Sequence, residues 1–83
     1  MINSNGSFQL AIGPGKVIAI DCISAGEESA VLLYDGIDDS GSMLDMFFTD
    51  NIGSKAYANL RFNNGLFAVL RGKNPAQINI RLA

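Results

Sequence analysis

The segment Leu60–Leu70, with the sequence LRFNNGLFAVL, places two short apolar runs on either side of an Asn-Gly pair. Asn-Gly favours a two-residue type I′ turn, because both central residues of that turn need a positive φ. With Asn64 and Gly65 as the loop, this pattern predicts a hairpin in which Phe62 faces Phe67. A three-residue loop with a glycine bulge would instead group the alternate residues of the second run with Phe62: Leu66, Ala68 and Leu70.

The rest of the chain repeats this arrangement of short apolar runs between residues that favour turns. Apolar residues never keep a helical period for three turns, and Gly, Pro, Asn, Asp and Ser separate the runs. The pattern predicts an all-β fold, a small antiparallel β-sandwich or jelly-roll-like barrel of about seven strands. The predicted strands are Ser7–Ile12, Lys16–Ser24, Ser29–Asp35, Met43–Thr49, Lys55–Phe62, Leu66–Arg71 and Ala76–Leu82.

At 83 residues the chain is long enough for one domain. We expect a single β domain over residues 8–83 and a polar N-terminal arm over residues 1–7 that can reach a neighbouring molecule. The arm lacks the basic start and apolar block of a secretory signal. No apolar run approaches the roughly 18 residues of a membrane span, so no membrane partner is expected.

Composition excludes several kinds of chemistry. The chain has no His, which removes the commonest general base, and its one cysteine, Cys22, can form neither an internal disulfide nor a zinc site. We therefore predict a protein that is not an enzyme, with no catalytic residue, cofactor or metal, and with Cys22 as a small reduced core residue. The net charge is −2 and the cations are scattered, so no nucleic acid partner is predicted.

Two segments superficially resemble ligand sites. The acidic segment Asp35–Asp45 lacks the alternating ligands and terminal Glu of an EF-hand, so it is predicted to be a turn whose Asp and Ser side chains bind nearby backbone. Gly13–Lys16 lacks the remaining residues of a phosphate loop and precedes a strand, so it is also predicted to be a turn. The aromatic side chains could stack on bases or sugars, but without basic or amide neighbours packing is favoured: Tyr34, Phe47, Tyr57 and Phe67.

Several strands are apolar on both faces, whereas a sandwich in water needs only one apolar face per sheet. The excess apolar surface predicts self-association or docking on a larger protein; strands at the centre of a tightly curled barrel are the alternative. We expect a homo-oligomer, with a trimer as the first choice. The predicted interface residues are Leu32, Tyr34, Phe47, Leu66 and Leu70.

Five segments follow one another in a distinctive order: the Lys16–Ile20 strand, the Tyr34-Asp35-Gly36 and Ser40-Gly41 turns, the Arg61–Leu70 segment and the alternating last strand. This order resembles that of small β-rich virion proteins of tailed bacteriophages. The resemblance implies a capsid decoration, or cement, protein that binds the major capsid protein, is made in the host cytoplasm and resides in the virion. The alternative is a tail, fibre or baseplate adaptor that binds a neighbouring virion protein or a host receptor. A carbohydrate-binding β-sandwich is a third reading, disfavoured by the absence of Trp.

Overall fold

The chain forms seven β-strands, and the computed structural model describes all of residues 1–83. Every strand end lies within two residues of its predicted position, because the turn residues between the apolar runs are local signals. The all-β prediction is confirmed. The strands are β1 (Gly6–Ile12), β2 (Gly15–Ser24), β3 (Ala30–Asp35), β4 (Ser42–Phe48), β5 (Gly53–Phe62), β6 (Gly65–Arg71) and β7 (Gln77–Leu82).

The strands form two separate antiparallel sheets, which confirms the predicted small β-sandwich. One sheet has the order β1-β6-β3-β4 and the other has the order β5-β2-β7. Of the five ladders, only β3 with β4 joins strands that are consecutive in sequence. All other pairings connect distant parts of the chain, so the fold depends mainly on long-range contacts.

The core lies between the inner faces of the two sheets. The four-stranded sheet contributes side chains from β3 and β6, and the three-stranded sheet contributes side chains from β2, β5 and β7. Burial of these apolar side chains is the main source of stability in a domain of this kind. The largest fully buried core side chains are Val17, Ile20, Val31, Leu33, Leu66, Leu70 and Ile78.

A β-bulge in β2 explains why this strand is apolar on both faces in sequence. The register of β2 shifts between Val17 and Ala19, so Val17 and Ile20 both enter the core although they are an odd number of residues apart. Ile18, at the bulge, is exposed. Ala19 lies on the outer surface but is covered by its neighbours. A bulge reverses the alternation of side chains along a strand, and no residue pattern in β2 indicates its position.

The predicted hairpin at Asn64 and Gly65 is wrong. β5 pairs with β2, whereas β6 pairs with β1 and β3, so the Asn63-Asn64 link crosses from one sheet to the other. Glu28 is the only residue other than glycine with a positive φ, so Asn64 does not adopt the type I′ conformation. The grouping given by the alternative register is nevertheless found: Phe62 and the inner side chains of β6 meet in the core, from opposite sheets.

Hydrogen bonds to Asp35, which is distant in sequence, hold this crossover in place. The Asp35 carboxylate accepts backbone N–H groups of Asn63, at 2.9 and 3.0 Å, and of Asn64, at 2.8 Å. These bonds give the two N–H groups partners that a hairpin ladder would otherwise supply. A Cβ atom on Gly65 would lie 2.8 Å from both the Ala11 and Gly36 carbonyl oxygens, so a glycine is required for this close approach.

The first residues pack on the same chain. Strand β1 begins at Gly6, so the last two residues of the predicted arm belong to the sheet. Ile2 forms an antiparallel bridge with Ile78, in which the two N–H···O bonds measure 2.9 and 2.8 Å. Asn5 donates its side-chain amide to the Gly72 carbonyl at 2.7 Å. These contacts anchor the segment beside the outer edge of β7.

Candidate functional site

The outer surface of the four-stranded sheet is apolar over most of β3, β4 and β6, and we call this part the apolar face. Ser7 and Gln9 on β1 and Arg71 at the end of β6 border it. Cross-strand pairing sets its composition: Leu32 lies between Val69 on β6 and Met46 on β4, and Tyr34 pairs with Phe67 in the same way. Directly paired side chains point to the same side of a sheet. The apolar face consists of Leu32, Tyr34, Met43, Met46, Phe48, Phe67 and Val69.

The part of the apolar face on β4 is the most accessible to solvent. Phe48, Met43 and Met46 are 65%, 53% and 42% exposed, whereas the side chains on β3 and β6 are half-buried or buried. The outer face of an antiparallel sheet in water is ordinarily polar. A contiguous exposed apolar patch is typical of a protein interaction site. Methionine and phenylalanine also suit such a site, since both are enriched at protein interfaces.

The predicted interface residues separate into two groups. Leu32 and Tyr34 lie on the apolar face. Leu66 and Leu70 are fully buried core residues, and Phe47 packs against the core from the inner side of β4, so these three lie away from the apolar face. Met43, Met46 and Phe48 were missed, because the sequence does not show which side of an apolar strand faces the core. Asp45 makes the sequence misleading here, because a charged residue is ordinarily expected on the solvent side, which would place Met46 inside. In the structure Asp45 points inward and Met46 lies on the outer side.

The free edge of β4 carries two features that oppose pairing with another strand. The register of β3 and β4 shifts between Leu33 and Tyr34, which leaves a bulge at Leu44. Asp45 points inward as a charged residue on the edge strand. Bulges and inward-pointing charges are common protections of edge strands. Contact through the apolar face is therefore favoured over extension of the sheet at this edge.

Asp45 joins the two sheets through a polar cluster with β5. Its carboxylate accepts hydrogen bonds from Lys55 Nζ at 2.7 Å and from the Tyr57 hydroxyl. Burial acts to raise the pKa of Asp45, but the bonds from Lys55 and Tyr57 outweigh burial and lower it. Burial and the bond to Asp45 raise the pKa of Tyr57 well above its usual range. The cluster fixes β4 against β5.

The carboxylates of the acidic segment serve separate structural bonds. Asp38 binds the Ser40 hydroxyl and accepts the Ser40 N–H at 2.9 Å, as predicted for a turn, and the hydroxyl bond is the main reason that its pKa is lowered. Asp35 binds the distant crossover, which lowers its pKa, and Asp45 binds β5. No group of three or more Cys, Asp or Glu side chains converges closely enough to hold a metal ion.

A small polar cluster in the core was not predicted. The buried Thr49 hydroxyl donates to the Ser29 hydroxyl at 2.7 Å, and Ser29 Oγ also accepts the Ala76 N–H at 3.3 Å. These bonds satisfy both hydroxyls, so the cluster is structural. Cys22 nearby is buried with a free thiol, which agrees with its predicted place in the core, and burial raises its pKa.

The outer surface of the three-stranded sheet, which we call the polar face, carries the opposite chemistry. Asp21 on β2 accepts a hydrogen bond from the Ser54 hydroxyl at 2.6 Å. It also forms an ion pair with Arg81, in which Nε lies 2.9 Å from the carboxylate. The bond from Ser54, with Arg81, lowers the pKa of Asp21. The polar and charged side chains of this face are Lys16, Asp21, Ser54, Arg61, Asn79 and Arg81; Ala19 and Ala56 lie between them.

The fold contains no helix of the length and hydropathy needed to cross a membrane. Comparison with known proteins gives no family assignment: no family model, no curated protein and no solved structure matches this chain.

Proposed function

We propose that the protein is a structural component of a virion, a capsid decoration protein of the tailed-bacteriophage type, and that it binds the major capsid protein through the apolar face. The observation that supports this proposal is the exposed group of Met43, Met46 and Phe48 on a sheet surface that would ordinarily be polar. The resemblance of the turn segments to small virion proteins is the reason for proposing that the protein's location is a bacteriophage particle. In this role the protein has no catalytic residues or cofactor.

A decoration protein acts mechanically. It covers the seams between capsomers, so that outward pressure from packaged DNA has to break the added contacts as well as those of the shell. One charged side chain, Arg71, borders the apolar face, where it pairs with Ala30 beside Phe48. The other side chains of the face are uncharged, so the contact gains most of its free energy from removing apolar surface from water. Binding of this kind resists raised salt better than binding between charges.

The homotrimer expected from the sequence belongs to this proposal. A trimer brings three apolar faces to one three-fold position, and simultaneous contacts make the whole assembly bind far more tightly than one copy. Light scattering at micromolar concentration should give the mass of three chains. A single-chain mass in solution, together with isolated single copies on the shell, would contradict the trimer.

The test of the function compares two glutamate substitutions at similarly exposed apolar positions. Met46→Glu places a charge on the apolar face, whereas Ile23→Glu places it on the other sheet, where Ile23 is 46% exposed and Met46 is 42% exposed. Particles that carry Met46→Glu should lose DNA at a lower temperature, as particles without the protein do. Particles that carry Ile23→Glu should keep the heat resistance of the natural particle.

Further measurements separate capsid from tail. Cryo-electron microscopy of the purified particle should place the protein on the shell, with the apolar face against the major capsid protein. Unfolding midpoints of the purified variants show whether Met46→Glu is folded, and Phe48→Ser, at a more exposed position, provides a milder change. Particles with normal heat resistance that fail to adsorb to cells would overturn the capsid proposal in favour of the tail adaptor.

A further inference from the structure

Two cations oppose each other at one end of the polar face. Lys16 on β2 and Arg61 on β5 are direct cross-strand partners. Their neighbours Val17 and Phe62 point into the core, so Lys16 and Arg61 both point outward. Like charges directly opposite each other destabilise a strand pair. Such a pair is expected only where an anion offsets the repulsion or where the two charges serve a function such as binding.

Neither cation has a carboxylate partner, in contrast to most of the other cations of the chain. Lys55, Lys73 and Arg81 form ion pairs with Asp45, Glu27 and Asp21. Arg71 is also without an ion pair, but no second cation faces it: its cross-strand partner on β3 is Ala30. The guanidinium of Arg61 is positioned by a bond from Nε to the Asn59 side-chain oxygen at 2.7 Å, which leaves its terminal nitrogens available.

The two cations border a concave site. An open cavity of about 390 Å³ lies beside them, and its remaining wall consists of Pro14, Gly15, Phe62, Asn63 and Ala83. The wall is fixed from outside the cavity: Asp35 holds the Asn63 N–H, and the Lys16 carbonyl accepts the Ala83 N–H at 3.1 Å. Small-molecule sites have volumes of about 300–1,000 Å³, and this cavity has a volume in that range. Only two of its seven lining residues are hydrophobic, unlike the mostly apolar lining of such sites, and this favours a small charged ligand.

The surrounding charge favours an anion. The side chains of the polar face include three cations, Lys16, Arg61 and Arg81, and one carboxylate, Asp21, so the net charge of these side chains is +2. The whole chain has a net charge of −2. Because the positive charge is concentrated on one face, an anion is attracted to that face although the protein as a whole is acidic.

We propose that this cavity binds a phosphate group, either free phosphate or the phosphate of a small monoester, between Lys16 and Arg61. An ammonium and a guanidinium together match the charge of a phosphate dianion, whereas a lone carboxylate would neutralise only one of them. Arg61 offers a planar pair of donors and Lys16 a point charge, the two means by which proteins bind phosphate. The site lies on the sheet opposite the apolar face, so it is independent of the proposed capsid contact.

Titration followed by amide NMR tests the proposal with inorganic phosphate as the probe, at constant ionic strength maintained with chloride. Saturable shifts should be confined to the amides of Gly15, Lys16, Arg61 and Asn63. Lys16→Gln and Arg61→Gln should each weaken binding at least tenfold. Lys73→Gln, which removes a cation already paired with Glu27, should leave binding unchanged.

Two further arms identify the ligand. Glycerol phosphate that binds more tightly than inorganic phosphate would assign the site to a monoester, and equal binding would assign it to the free anion. Acetate that binds as tightly as phosphate would overturn the phosphate assignment. Shifts that rise linearly, that spread over all cationic positions, or that persist in both glutamine variants would overturn the site.

Thermal unfolding gives a second readout, first without ligand and then with phosphate. At low salt Lys16→Gln should raise the unfolding midpoint, because it removes the opposed charges. Phosphate should then stabilise the natural protein more than the variant, while chloride at the same ionic strength should not distinguish them. An unfolding midpoint that falls in Lys16→Gln would show that the pair carries no unrelieved repulsion and would contradict the proposal.

Discussion

The two outer surfaces of the sandwich share one core but differ in how completely their side chains are satisfied within a single chain. On the polar face, Asp21 accepts a hydrogen bond from Ser54 and forms an ion pair with Arg81. On the apolar face, Met43, Met46 and Phe48 have no covering layer. Polar side chains find partners in water or along the strand, whereas apolar side chains gain free energy only when another surface covers them. The difference therefore separates a surface that is stable in solution from one that is suited to association.

The largest expected change in the free energy of unfolding comes from a comparison of two neighbouring leucines on β3. One of them faces the core, and the other belongs to the apolar face. Leu33→Ala should lower the free energy of unfolding by about 2–5 kcal/mol, as expected for a fully buried leucine. Leu32→Ala should cost clearly less in the isolated protein and should instead weaken binding through the apolar face. Chemical denaturation measures both variants. Equal losses would mean that the two faces of β3 are buried alike in solution.

Gly65 tests the crossover that assigns β5 and β6 to different sheets. Gly65→Val should cost about 1–3 kcal/mol, because the new side chain would collide with the Ala11 and Gly36 carbonyl groups. Asn64→Gly is the matched control, since Asn64 contributes its backbone N–H to Asp35 and this group is kept in the variant. Chemical denaturation separates the two. Similar midpoints for both variants would contradict the close approach at Gly65.

The crossover found at Asn64 and Gly65, in place of the predicted hairpin, also shows how far the sequence could predict the fold. Strand positions were predictable, because turn residues act locally and the seven apolar runs are short. The partners of the strands were not, because the crossover depends on Asp35, which lies 28 residues before Asn63. Asn-Gly is a strong hairpin signal by itself, but a distant carboxylate that takes both N–H groups overrides it.

The candidate site was predictable only in part for a similar reason. The excess of apolar residues correctly indicated a second apolar surface, and Leu32 and Tyr34 lie on it. Leu66 and Leu70 were assigned to the wrong side of β6, because that assignment needs the partner strands to be known. Bulges in β2 and at Leu44 shift the alternation further, and neither has a local sequence signal.

Acid should weaken the bonds of Asp21 on the polar face. The bond from Ser54, with Arg81, lowers the pKa of Asp21 in the folded protein. A lowered folded-state pKa adds stability above the ordinary carboxyl pKa, and this stability is lost as the pH falls through the folded-state value. Asp21→Asn should therefore make unfolding less dependent on pH between about pH 5 and pH 2.

Asp39→Asn provides the control for this pH dependence, since Asp39 is an exposed carboxylate of the acidic segment outside both sheets. Thermal unfolding as a function of pH measures both variants. If Asp21→Asn leaves the acid dependence of the natural protein unchanged, the bonds to Asp21 contribute nothing to its stability.

Calcium gives the smallest expected effect. The carboxylates of Asp35, Asp38 and Asp45 bind different partners and do not converge. Thermal unfolding with chelator and with millimolar calcium should therefore coincide. A rise of more than about 5 °C in calcium, equivalent to about 1 kcal/mol for a domain of this size, would show that the acidic segment holds an ion.

The strand order has a consequence for the kinetics of folding. Only the β3–β4 ladder joins neighbouring strands, so β1 and β2 have no sheet partner until β5 to β7 have been synthesised. Chains dominated by such distant pairings fold in milliseconds to seconds, because loop closure precedes most of the stabilising contacts. We expect the β3–β4 hairpin to form first and the sandwich to close only once the last strand has left the ribosome. The most exposed part of the apolar face lies on that hairpin, so the surface suited to binding is also the one most open to premature aggregation in the nascent chain.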